Sequence, residues 1–150
     1  MLRLFPLIAM LYSFAAFAYC PSYPTITQEF EGSHLVFIGT VSSEQKVHES
    51  GDYFDGINYQ LSVSEQFRGV PSESISLFSE NTSGRFPMDI GASYLIFTTL
   101  TPGTLAGEPV YVVDYCGHSG AVASRPKTIS AVRAMRRDSV KKELRRAAKS

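Results

Sequence analysis

This 150-residue chain has no tryptophan, two cysteines and three histidines. Two cysteines exclude a disulfide-dense scaffold held by several bridges in place of a core. No two of His34, His48 and His118 stand at ligand spacing, which excludes a compact zinc motif. There is no phosphate loop and no glycine fingerprint for a dinucleotide, so no cofactor and no metal are expected. Internal repeats and long low-complexity segments are also missing, leaving one domain on length. Net charge is absent too: fourteen basic residues balance fourteen acidic ones.

That balance hides an asymmetry. From Tyr19 to Pro126 the basic residues are Lys46, Arg68, Arg85 and Arg125, against twelve acidic ones, a net of −8. From Lys127 to Ser150 nine Lys or Arg face only Asp138 and Glu143, a net of +7. The chain reads as an acidic body with a basic tail. An acidic body repels a phosphate backbone, so no nucleic-acid partner is expected.

The start of the chain reads as an export signal over residues 1–18. Arg3 precedes an apolar run from Leu4 to Phe17, broken mainly by Pro6 and Ser13, and Ala16-Phe17-Ala18 fits a small-x-small cleavage site. The competing readings are a membrane anchor and a lipoprotein. The run is shorter than the ~20 apolar residues that span a bilayer, and bulky Tyr19 stands where a lipobox needs a small residue before Cys20. The expected mature start is Tyr19, in a secreted or periplasmic protein. There the two cysteines, Cys20 and Cys116, most simply form one disulfide; two free thiols are the alternative. A bridge closing a loop of roughly 100 residues is worth ~4–5 kcal/mol by loop entropy.

Strands follow from the patterning of residues 19–126. Thr25 caps a short helix over Ile26–Glu31, with Gln28 completing a capping box. His34–Ser43 holds the unbroken run Leu35-Val36-Phe37-Ile38, and Gly39 inside it marks a bulge or sharp bend. Glu44–Gly56 is a loop or hairpin end. Ile57–Phe67 alternates, with Ile57, Tyr59, Leu61 and Val63 on one face. Ser74–Ser79, Ala92–Leu100 and Val110–Tyr115 complete five strands, separated by Gly/Pro turns at Arg68–Pro71 and Thr101–Pro109 and a loop at Asn81–Gly91. Short, regularly spaced strands of this kind predict a mainly β fold, a sandwich or a small closed barrel. Residues 127–150 predict a basic amphipathic helix with Ile129, Val132, Met135, Val140 and Leu144 in one stripe.

Candidate chemistry is sparse. His118 beside Cys116 suggests a Cys–His pair, but a bonded cysteine is no nucleophile and leaves His118 a surface residue. Gly117-His118-Ser119-Gly120 lacks the full nucleophile elbow. Asp52 and Asp55 miss the spacing of a calcium loop and read as solvated loop charges. Asn81-Thr82-Ser83 is a glycosylation sequon.

In combination, several landmarks resemble the tissue-inhibitor-of-metalloproteinase-like family. These are Cys20 just after the leader, the short helix, and the strand Ser33-His34-Leu35-Val36-Phe37-Ile38-Gly39-Thr40-Val41. Further along come Val63-Ser64-Glu65-Gln66-Phe67-Arg68-Gly69, Asp89-Ile90-Gly91-Ala92-Ser93-Tyr94-Leu95-Ile96-Phe97 and Asp114-Tyr115-Cys116-Gly117. The resemblance covers about Cys20 to Gly120 and leaves out the basic helix. It implies a netrin-like, five-stranded OB-like closed barrel tethered by Cys20–Cys116. It also implies a contact ridge at Tyr19, Cys20 and Pro21 directed at a zinc protease. The chain departs from the family's Cys-x-Cys start: Ser22 replaces the second cysteine, and Tyr19 precedes the first.

The functional expectation is an exported, non-enzymatic protein-binding module, with metalloprotease inhibition as its most specific form. The alternative is an envelope structural or surface-tethering protein, whose basic helix contacts an anionic surface. A small hydrolase or metal-binding enzyme is a third reading.

Overall fold

A computed structural model describes residues 20, 22–48, 50–105, 108–113 and 115–149. The leader expected over residues 1–18, and Tyr19 and Pro21 of the expected ridge, lie outside the described residues. The fold is mainly β, with six strands in one sheet and two α-helices among the described residues. In chain order these are α1 (Ile26–Gly32), β1 (Leu35–Val47), β2 (Gly56–Arg68), β3 (Ser74–Glu80), β4 (Ser93–Leu105), β5 (Glu108–Val113), β6 (Gly120–Ala121) and α2 (Pro126–Ala147).

Helix α1 begins as the sequence predicts. The Gln28 N–H donates to Thr25 Oγ1, and the Gln28 side chain reaches back to the Thr25 N–H at 2.9 Å. The stretch Glu44–Gly56 resolves into a hairpin end: β1 and β2 stay paired out to Val47↔Gly56. Gly39 sits at a register shift in that ladder, and a Cβ there would lie 3.0 Å from the Phe37 ring. The expected turn Thr101–Pro109 is mostly ladder instead. β4 runs to Leu105 and β5 starts at Glu108, with a register shift between Thr101 and Leu105. A shift there fits Pro102, which cannot donate to a ladder.

In the sheet, β1 pairs with both β2 and β4, β2 with β3, β3 with β5 in parallel, and β5 with β4. The short β6 adds to β4 through Tyr94↔Ala121 and Leu95↔Gly120. It was not expected, because two residues carry no period. The last long strand also ends at Val113, short of the predicted Tyr115.

Alternation along β1 sends its apolar run to two cores. Leu35, Phe37 and Val41 join Tyr59, Leu61, Leu77 and Ile96 in one cluster. Val36 and Ile38 join Phe67, Leu95 and Phe97, and there Phe30 of α1 with Ile129 and Val132 of α2 cover them. A strand buried on both faces reads as a continuous hydrophobic run. The loop Asn81–Gly91 closes the first cluster with Phe86 and Met88. Its backbone answers two tyrosine hydroxyls: Met88 N–H donates to Tyr59 Oη, and Asp89 N–H to Tyr94 Oη.

Candidate functional site at the disulfide end

Cys20 and Cys116 are bonded across a sequence separation of 96, with their Cα atoms 5.6 Å apart. The bridge holds the N-terminal lead-in against the turn after β5. Glu29, which the sequence offered only as one acid of a capped helix, reaches into that turn from α1. Its carboxylate accepts the His118 backbone N–H at 2.8 Å and lies 2.6 Å from His118 Nδ1. An ionised carboxylate only accepts, so the ring turns its Nδ1–H to Glu29. The side chains are 25% and 12% exposed, so His118 is a half-buried anchor and not the surface residue expected. Gly117 leaves room for this contact, because a Cβ there would push the Glu29 carboxylate aside.

The next residues are similarly engaged. Ser119 is buried and its Oγ accepts the Phe97 N–H at 2.9 Å. The serine of Gly117-His118-Ser119-Gly120 thus ties the turn to β4. Arg125 donates from Nη2 to Ser119 O at 3.1 Å. Its Nε is buried with no hydrogen-bond partner, above Gly120, where a Cβ would come within 2.5 Å of it.

Around this braced turn lies a hollow of about 380 Å³, lined by Tyr23, Phe86, Tyr115, His118, Ser119 and Arg125 among others. Of these, Tyr23 and Tyr115 are 73% and 51% exposed. Neither was singled out from the sequence, although Tyr23 in Pro21-Ser22-Tyr23-Pro24 and Tyr115 next to Cys116 stood beside residues that were.

The other candidates disperse. His34 Nδ1 accepts the Leu100 N–H at 3.2 Å. His48 pairs with Asp55 at 2.7 Å at the exposed β1–β2 hairpin end. The hydrogen bond and charge of Asp55 raise the Tyr53 hydroxyl pKa above its ordinary value. Asp52 is exposed on the same tip. Asn81 is exposed, and its side-chain amide donates to Phe54 O at 3.0 Å. Among the described residues, no group of three or more His, Cys, Asp or Glu could hold a metal ion. A second cleft of about 780 Å³ opens beside β3 and β5, floored by Leu35, Ile75 and Phe78 and rimmed by Val70, Pro109 and Tyr111.

No family model and no curated protein matches the chain.

Proposed function

We propose that the chain is an exported, non-enzymatic protein-binding domain, built as an OB-like closed barrel and engaging its partner at the disulfide end. The pairings β1–β2–β3–β5–β4, with β4 back on β1, support the barrel reading. The disulfide supports export, since such bridges persist outside reducing compartments.

One observation carries the binding reading: two exposed tyrosines line a hollow at a turn fixed by a disulfide, a carboxylate–histidine contact and a buried serine. Tyrosine and arginine dominate interface hot spots, because they combine large apolar area with a polar end. A rigid base lowers the ordering entropy lost on binding. Arg125 adds a guanidinium to the lining of the same hollow. The specific form of this reading is inhibition of a zinc protease, with Tyr19, Cys20 and Pro21 as the contact ridge. It rests on the sequence resemblance alone.

The test is capture of partners from an exported fraction by the mature protein, beside a Tyr23→Ser/Tyr115→Ser variant. A partner retained by the wild type and lost by the variant is expected. Equal capture by both removes the disulfide end as the contact surface. Activity of a panel of zinc proteases with and without the mature protein tests the specific form. Should all stay fully active, inhibition is excluded and only general binding stands.

A further inference from the structure

Helix α2 is 22 residues long, and only its first part packs on the body. Ile129 and Val132 are buried and Met135 packs beside them, whereas every residue from Arg136 to Lys149 is exposed. The exposed part holds seven Lys or Arg against Asp138 and Glu143. Arg136 donates to Gln66 O, and Arg136, Val140 and Glu143 line a groove with Phe30, Gln66 and Arg68, while Asp138 and Lys142 line a hollow with Thr27, Phe30 and Met135.

Helical geometry sorts what remains. Residues four apart lie one above another on a helix. Arg137, Lys141 and Arg145 therefore form one line, and Val140, Leu144 and Ala148 form a second. Each apolar position follows a cation by three, so the lines adjoin. Leu144 is bare at 65% exposed, whereas Val140, at 44%, stands at the edge of the groove against the body. Cations near a helix C-terminus complement the macrodipole. That accounts for Arg145 and Arg146 in the last turn. The effect fades within one turn, so it leaves Arg137, Lys141 and the bare Leu144 unexplained.

We propose that the outward face of α2 lies flat on an anionic lipid bilayer, with Arg137, Lys141 and Arg145 at the headgroups and Leu144 below them. Charge complementarity selects an anionic surface. The adjoining apolar line selects a bilayer over a soluble polyanion, which has no apolar layer to receive it. The contact is peripheral, since no described helix is long and apolar enough to cross a membrane. It uses residues separate from the disulfide end, so the two readings stand or fall independently.

The experiment is co-sedimentation of the whole mature chain with phosphatidylcholine vesicles, and with the same vesicles carrying phosphatidylglycerol. Binding to the second alone is expected, falling as salt rises. Arg137→Gln/Lys141→Gln/Arg145→Gln keeps good helix formers and weakens binding more than about tenfold. Leu144→Ser weakens vesicle binding several-fold, yet leaves retention on an immobilised sulfated polysaccharide unchanged. No sedimentation with anionic vesicles at low salt overturns the proposal. So does unchanged vesicle binding by either variant. Retention on the polysaccharide without vesicle binding assigns the face to a soluble polyanion instead.

Discussion

Around Glu29 the structure depends on single atoms. The carboxylate satisfies a backbone N–H and a ring N–H of His118 at once, and the missing side chain of Gly117 makes room for it. Glu29→Ala leaves a part-buried donor without an acceptor, which costs about 1–3 kcal/mol. Urea denaturation should show that loss, and an unchanged midpoint would mean that water replaces the carboxylate freely. A second carboxylate sets a pH dependence. Arg133 donates from Nη2 to Glu65 at 2.6 Å, and this hydrogen bond holds the Glu65 pKa below its usual value, against the opposing effect of burial. A depressed carboxylate stabilises the fold at pH above its unfolded pKa, and the contribution is lost as pH falls through the folded value. Stability measured from neutral pH downward should therefore decline more gently below about 4.5 in Glu65→Gln than in the wild type. Parallel curves would show that the pair contributes nothing.

At the scale of elements, α2 behaves as two helices in one. Its first turns complete the second core over Val36, Leu95 and Phe97, while the residues of its last turns are all exposed. Ile129→Ala removes buried methyl groups from that core and should cost about 2–4 kcal/mol by denaturant titration. Leu144→Ala, in the same stripe of the sequence, should stay within about 0.5 kcal/mol of the wild type. Similar losses at both positions would mean that the far half is packed as well. The stripe Ile129, Val132, Met135, Val140, Leu144 looks uniform in sequence. Periodicity reports which face a residue shares, and nothing about where the body beneath it stops. Patterning located all five long strands and both helices within a few residues. It missed the extension of β4 to Leu105, because Pro102 and Gly103 read as a turn. β6 was beyond its reach, since its two residues pair only because Ser119 and the disulfide bring them to β4.

For the molecule as a whole, the bridge is the long-range constraint. Cys20→Ser/Cys116→Ser frees a lead-in that α1 alone then anchors, and should cost about 2–5 kcal/mol. Thermal unfolding should show the loss, and adding reductant to the wild type should reproduce it. Limited proteolysis should cut the freed lead-in ahead of Thr25 first. Unchanged stability under both treatments would leave the bridge without a structural role.

The sequence by itself determined the local content of this protein: a mainly β body, a capped first helix, a basic last helix and an acid–base asymmetry between body and tail. Each follows from short-range rules, in which alternation, helical spacing and capping act over a few residues. The pairing of Cys20 with Cys116 was also legible, since two cysteines permit only one intramolecular bridge. What only the tertiary structure decided was which distant groups meet. Glu29 and His118 are 89 positions apart, and nothing in the spacing of either names the other. Tyr23 and Tyr115 become neighbours of one hollow because the bridge and the β5 turn carry them there. Of the far half of α2, Arg136 and Glu143 meet the groove against the body while Leu144 stays bare, because Ile129 and Val132 set the rotation of the helix when they docked.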